Sequence, residues 1–303
     1  MGHVVILGVF VADTSYRADR MPRMGETILG NSFALGPGGK GSNQAVACAR
    51  MGAQTHIITR LGKDDFADMA LKTWAQAGVT PHVRHIADSY TGAAYIFVEN
   101  ATGNNAIIIA PGAAATISNT DVDRHADLIS KASVFITQLE QPLPVAHHAL
   151  KLARTAGVTT ILNPAPAAPL PEGMLALCDY LTPNETETQE ITGIEVLTVE
   201  DAQRASTALC KMGVGTPIIT LGERGAYLHG HGLVPAVTAG PVVETTGAGD
   251  AFNGGFAAAL SEGATPLEAV KIGCATAGIS VTRPGTAPSM PTKAEVQALL
   301  AKG

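Results

Sequence analysis

The stretch Thr246-Gly247-Ala248-Gly249-Asp250-Ala251-Phe252-Asn253-Gly254-Gly255 puts an anion-binding turn and a carboxylate on adjacent residues. Two glycines flank one alanine, so backbone N–H groups can approach an anion with no side chain in the way. The apolar run that follows, Ala257-Ala258-Ala259-Leu260, predicts a helix whose N-terminus adds partial positive charge. An Asp beside a bound phosphate faces like charge, and such a placement has a use if the carboxylate accepts the proton of an attacking hydroxyl. The stretch therefore reads as a phosphoryl-transfer site, with Gly247, Ala248 and Gly249 as the anion hole and Asp250 as the base. Taken alone, the same residues also fit an ordinary turn in which Asp250 caps the next helix.

A second glycine-rich stretch, Gly36-Pro37-Gly38-Gly39-Lys40-Gly41-Ser42-Asn43-Gln44-Ala45, opens a helix expected over 43–52. It is not a P-loop, because Gly41 stands where Ser or Thr would follow the Lys. It fits Gly-x-Gly-x-x-Gly, yet it does not follow the first strand and no acidic strand end lies at the distance of a ribose contact, so a dinucleotide site is not expected. Lys40 and Asn43 among glycines suit hydrogen bonds to a hydroxylated ligand lying against the backbone. A plain turn before a helix is the alternative.

The elements that must position these residues show as short apolar runs separated by helical patterns. Val4–Leu7, His56–Thr59, Ser133–Ile136, Thr159–Leu162, Tyr180-Leu181 and Pro217–Thr220 are apolar without alternation, as suits parallel strands buried on both faces. Helices are expected over 43–52, 64–77, 145–156, 200–212, 251–262, 266–282 and 292–301. This alternation predicts an α/β fold, a doubly wound and mostly parallel sheet with helices on both faces. Two segments, about 14–36 and about 90–110, break the pattern; the second reads as a hairpin turning at Asn100–Asn104. Both are expected in a small β-sheet that covers the active edge as a lid. The main-sheet runs end in Asp13, Gln138-Leu139-Glu140, Asn163-Pro164, Asn184–Glu187 and Leu221–Gly225, which predicts a polar cleft at the carboxyl edge of the sheet.

Composition narrows the classes. The 303 residues are 46% hydrophobic and only 15% charged, with 33 glycines, which argues against disorder. Net charge is −6 and no basic block occurs, so neither nucleic acid nor an anionic membrane surface is an expected partner. No leader pattern or bilayer-length apolar run appears. Cys48, Cys178, Cys210 and Cys274 lack metal or disulfide spacing and suit buried free thiols in a cytoplasmic protein. His147/His148 and His229/His231 lack the partners of a metal site.

Taken together, these motifs, with Thr220–Gly225 and Val281-Thr282-Arg283, run in the order and spacing of a known family. Over nearly its full length the chain resembles the ribokinase-like (PfkB-type) carbohydrate kinases, and the ribose-phosphorylating members most closely. The resemblance implies one kinase domain over 1–303 with the two lid segments inserted, and a lid often used for homodimer contact. It implies transfer from Mg-ATP to a sugar's primary hydroxyl, that of C5 in ribose. Asp250 matches the family's base and Gly247, Ala248 and Gly249 its anion hole. Asp13, Gly39, Lys40, Asn43 and Glu140 match sugar contacts. Asn184, Thr220, Gly222, Gly225 and Gly249 match nucleotide positions, and Glu187 lies in the motif linked to Mg²⁺. Glu244, Thr246, Ser280, Arg283, Gly285 and Ser289 match loops that hold an activating monovalent cation, K⁺.

Two departures bear on the substrate and the ion. Val11 replaces an Asn two residues before Asp13, which opens deoxyribose, or another pentose or hexose, as an alternative to ribose. Glu244 replaces an Asp in the cation loops, and Pro37 precedes the glycine pair. A nucleoside kinase, a non-catalytic sugar sensor and a nicotinamide oxidoreductase are the other functions weighed. Stabilisation by ATP-Mg rather than NAD separates the kinases from the last.

Overall fold

The computed structural model describes residues 2–302. In chain order its strands are β1 (His3–Leu7), β2 (Val11–Ala18), β3 (Ser32–Gly38), β4 (Gln54–Leu61), β5 (Val79–His85), β6 (Thr91–Glu99), β7 (Asn105–Gly112), β8 (Val134–Thr137), β9 (Thr159–Leu162), β10 (Tyr180–Leu181), β11 (Thr216–Thr220), β12 (Gly225–Leu228) and β13 (Gly232–Pro235). Its helices are α1 (Lys40–Arg50), α2 (Asp65–Ala77), α3 (Asn119–Arg124), α4 (Ala126–Ser130), α5 (Leu143–Thr155), α6 (Glu185–Thr192), α7 (Val199–Lys211), α8 (Ala248–Ser261), α9 (Pro266–Ser280) and α10 (Lys293–Leu300).

A nine-stranded sheet runs in the order β13-β12-β11-β10-β9-β8-β1-β4-β5. It is parallel from β11 to β5, and the β12–β13 hairpin extends it antiparallel. All six predicted apolar runs lie in it. Their lack of alternation has a direct cause: in β1, Val4 and Ile6 enter one core while Val5 and Leu7 enter the other. The first core holds α1, α2, α8, α9 and α10, and the second holds α3, α4, α5 and α7. Helices α8 and α1 meet at Gly254, where a Cβ would stand 2.4 Å from that of Ala47. That close packing brings the two glycine-rich motifs side by side.

β5 lies outside the expected strands, and it carries Pro81. It is the edge strand, where a residue without an N–H is tolerated.

The two off-pattern segments form a separate four-stranded sheet, β3-β2-β6-β7, with β2–β3 and β6–β7 antiparallel and β2–β6 parallel. It is longer than the segments suggested, since β2 begins at Val11 and β3 ends at Gly38. It exposes Tyr16, Phe33, Leu35 and Ile107–Ile109. No helix among the described residues is long and apolar enough to cross a membrane. Of the four free cysteines, Cys210 is only partly buried, because it lies near the C-terminus of α7.

Candidate active site

Asp250 lies in the first turn of α8 and is 6% exposed. Gly247 caps this helix at φ 81°, a conformation that a side chain would strain. The alternative in which Asp250 caps the helix does not hold, because the cap is Gly247 and no side chain closes the helix end. Both carboxylate oxygens of Asp250 accept side-chain amides from α1: Oδ2 from Asn43 Nδ2 at 3.0 Å and Oδ1 from Gln44 Nε2 at 3.0 Å. Burial raises the Asp250 pKa, while Lys40 and the two amides pull against it.

Lys40 opens α1 after Gly39, whose φ is 86° and whose Cβ, if present, would stand 2.6 Å from the Val9 carbonyl oxygen. Only glycine lets the chain leave β3 and start a helix in that space. No side chain of the Gly39 cap closes the helix end. Glu140, just beyond β8, does so instead: its Oε2 accepts the Lys40 backbone N–H at 2.8 Å. Burial pushes the Glu140 carboxyl up to about 7, against the pull of Lys40. Asp13, on β2, is pushed up to about 6 by burial, then by the Asp250 and Glu244 charges. Its carboxylate lies against Gly38, where a Cβ would fall 2.1 Å from Oδ2. For the Lys40 ammonium, burial favours the neutral form, but Asp250, Glu140, Glu187 and Asp13 outweigh it and its pKa rises. All five predicted sugar-contact residues thus meet around one lysine.

A cavity of about 390 Å³ opens beside this cluster, on the other side of the α8 N-terminus. Its lining includes Asn184, Thr220, Gly222, Gly225, Ala248 and Gly249, so every predicted nucleotide position borders it. The part of the lining with Val237, Val242, Cys274, Ala277 and Val281 was missed. Its signal is the small residues Cys274, Ala277 and Gly278 on one face of α9, and Gly278 is needed because a Cβ there would stand 1.9 Å from the Val237 carbonyl oxygen. Asn184 N-caps α6 in a reciprocal capping box with Glu187. Both Glu187 oxygens are engaged by Asn184, from its N–H at 2.9 Å and its Nδ2 at 3.1 Å, so a metal bound directly there would compete with the cap. The Asn-x-x-Glu spacing is the helix-start signal that reveals α6.

The remaining predicted residues divide. Glu244 Oε2 accepts the Gly285 N–H at 2.8 Å and so joins the two predicted cation loops. The Ser289 hydroxyl turns inward to Thr286 O at 2.7 Å and that of Ser280 to Ala277 O at 2.9 Å. Thr246 is exposed in the loop before α8. The Arg283 side chain leaves these loops and pairs with Glu295. The same region is tied to the small sheet, since Thr286 Oγ1 donates to the Pro37 carbonyl at 2.7 Å. His148 pairs with Asp123, and His229, in the β12–β13 turn, bonds Ser206.

The family model described as pfkB family carbohydrate kinase matches residues 1–293. The ribokinase of Haemophilus influenzae is 37% identical over 295 residues, covering 96% of each chain. The deoxyribokinase of Salmonella typhi is 36% identical over 293 residues, covering 95% of each. Among solved structures, Arabidopsis thaliana ribokinase complexed with ribose and ATP superposes with a TM-score of 0.92 at 31% identity, covering 99% of this chain and 98% of the other.

Proposed function

Because this chain belongs to the pfkB family of carbohydrate kinases and is an ATP-dependent sugar kinase, we propose that it phosphorylates the primary hydroxyl of a pentose, with ribose giving ribose 5-phosphate. The observation that carries this reading is the position of Asp250: a buried carboxylate at a helix N-terminus, between the Lys40 cluster and the 390 Å³ cavity.

In this scheme the sugar lies against Gly38 and Gly39, with Asp13, Lys40, Asn43 and Glu140 taking its hydroxyls. Asn43 Oδ1 is buried with no partner in the protein and is free to accept one of them. Asp250 accepts the proton of the attacking hydroxyl. ATP lies in the cavity with its base between the α9 wall and Thr220–Gly225, and the amides of Gly247, Ala248 and Gly249 receive charge developing on the transferred group. Mg²⁺ bound with ATP would supply charge neutralisation on the transferred group, and Glu187 would stand beside it only by giving up its bonds to Asn184. The loops joined by Glu244 and Gly285 are proposed to hold K⁺. The small sheet is proposed to act as a lid that excludes water from the sugar and as a homodimer contact, on the strength of its exposed Tyr16, Phe33 and Ile107–Ile109. A cytoplasmic setting accords with the four unpaired thiols.

A second substrate has its own observation. Val11 lies two residues before Asp13 on the same face of β2 and is 4% exposed, packed in the second core. An apolar group there leaves a ribose 2-hydroxyl-type contact unmade and favours 2-deoxyribose. The test is a panel of ribose, 2-deoxyribose and hexoses with Mg-ATP, with and without K⁺, alongside Asp250→Asn. Transfer to a pentose, falling by about 10²- to 10⁴-fold in the variant, is expected. Full activity of Asp250→Asn removes the base assignment, and sugar binding without transfer leaves a sensor.

A further inference from the structure

We propose that Gln44 and Gln138 are positioning residues for the transfer step, forming a two-amide relay, Gln138 to Gln44 to Asp250, that fixes the plane of the Asp250 carboxylate. The proposal rests on Asp250 being the base.

Gln44 is fully buried and all of its amide is used. Its Nε2 donates one proton to Asp250 Oδ1 at 3.0 Å and the other to Asn163 Oδ1 at 2.9 Å, and its Oε1 accepts Gln138 Nε2 at 2.6 Å. The three bonds agree on one direction for the amide. With the Gln44 amide turned over, its oxygen would face the oxygens of Asp250 and Asn163, and its nitrogen would face the Gln138 nitrogen. The Asp250 carboxylate, which can only accept, disfavours that state, and Gln138 Nε2 adds to the preference, so the base meets an N–H.

The fold makes room for this relay at a cost. Gln138 is fully buried and its Oε1 has no partner in the protein. That oxygen lies 2.8 Å from where a Cβ would stand at either Gly8 or Gly41, and the two glycines themselves meet so closely that a Cβ on Gly41 would be 2.5 Å from the Gly8 Cα. The glycine after β1 and the one in the first turn of α1 thus admit the Gln138 amide. A buried, half-satisfied amide is destabilising, and its retention calls for a use.

The use is electrostatic as well as geometric. Two neutral amides hold Asp250 without neutralising it, leaving its remaining lone pairs toward the cleft. The charged groups facing Asp250 are Lys40 at the start of α1, Asp13 on β2, Glu140 beyond β8 and Glu187 in α6. None of them is altered by substituting either glutamine. Loss of the Gln44 N–H removes stabilisation of the anion alone, so the Asp250 pKa rises and a larger fraction of the base is protonated at a given pH.

The experiment compares Gln44→Met, Gln138→Met and the double variant with the wild type and Asp250→Asn, using the best pentose from the panel above. Methionine keeps the volume of glutamine and removes its amide. Gln44→Met is expected to lower kcat by about 10- to 100-fold and to move the acid limb of the kcat–pH profile upward by about one pH unit, with little change in either KM. Gln138→Met moves the limb in the same direction, and the double variant matches Gln44→Met, because Gln138 acts only through Gln44. An unmoved limb in Gln44→Met, or additive effects in the double variant, overturns the relay. If Gln44→Met does not fold, an unmoved limb in Gln138→Met overturns it equally. Asp250→Asn separates the two levels: an inactive Asp250→Asn with an unchanged Gln44→Met refutes the relay alone, while an active Asp250→Asn refutes the base on which it rests.

Discussion

Glu140→Gln is expected to stabilise the sugar-free protein while disabling it, increasingly as pH rises from 4.5 to about 7. Burial raises the Glu140 carboxyl from its ordinary 4.5 to about 7. A raised carboxyl means that the folded state holds a proton which the unfolded chain has already released between those values, so stability falls as pH rises through that window. Above pH 7 the full cost applies, about 3 kcal/mol at 1.36 kcal/mol per pH unit. Below pH 4.5 there is none. Glutamine keeps an oxygen for the Lys40 N–H, which Glu140 Oε2 accepts at 2.8 Å. The charge–dipole contact with the α1 N-terminus and the attraction to Lys40, which glutamine gives up, are already contained in the value of about 7. The gain at pH 8 is therefore about 3 kcal/mol, which for a chain of this length raises Tm by about 5 °C. At pH 5, just above the unfolded value, the gain is below about 1 kcal/mol. Scanning calorimetry of both proteins at the two pH values checks this, and a titration with pentose shows the lost sugar affinity. A lower Tm for Glu140→Gln at pH 8, or an equal shift at pH 5 and pH 8, refutes the claim that an ionised Glu140 is held against its solvation.

Three further outcomes follow from particular contacts. Gly39→Ala forces a side chain onto φ 86° and to within 2.6 Å of the Val9 carbonyl oxygen, and is expected to cost about 2–4 kcal/mol in guanidinium unfolding; an unchanged midpoint contradicts the close approach. Val11→Asn restores an amide beside Asp13 and is expected to raise the kcat/KM ratio of ribose over 2-deoxyribose by about tenfold, while losing some thermal stability because the residue is 4% exposed; an unaltered ratio removes Val11 from specificity. Ile108→Lys places a charge on a residue that is 65% exposed on the small sheet and is expected to convert a dimer to a monomer in sedimentation velocity. A wild type that already sediments as a monomer at micromolar concentration refutes the dimer.

Much of this was legible because burial on both faces writes an unmistakable pattern. β1, β4, β8, β9, β10 and β11 are all apolar without alternation, and all six stand in the parallel part of the sheet. What escaped obeys subtler constraints. β5 carries a proline that only an edge can tolerate, and α6, Glu185–Thr192, is so polar that its capping box is its one signal. At the site, residues that contribute a charge or a turn could be named from their types: Asp250, Lys40, Gly39, Glu140. The residues that hold them could not. The proposed role of Gln44 depends on a bond from Gln138, a residue 94 positions away, and no local spacing encodes that. Arg283 was placed beside the cation loops by resemblance alone, and what the structure adds is that its side chain pairs with Glu295.

The two halves of the site differ in what their walls must do, and the difference explains where glycine and charge are concentrated. On the proposed nucleotide side the lining includes Cys274, Ala277, Gly222 and Gly225, so space is made partly by omitting side chains and suits an apolar, flat group without asking much of electrostatics. On the proposed sugar side the walls are carboxylates and amides pressed against Gly38 and Gly39, and space is again made by omission, but each polar group that fills it is left short of solvent. Raised pKa values at Asp13, Glu140 and Asp250 record that shortage. A sugar with several hydroxyls removes it by donating to those oxygens, so binding is expected to lower the three pKa values together and release protons. The free protein stores part of its sugar affinity as instability of its own ionised carboxylates.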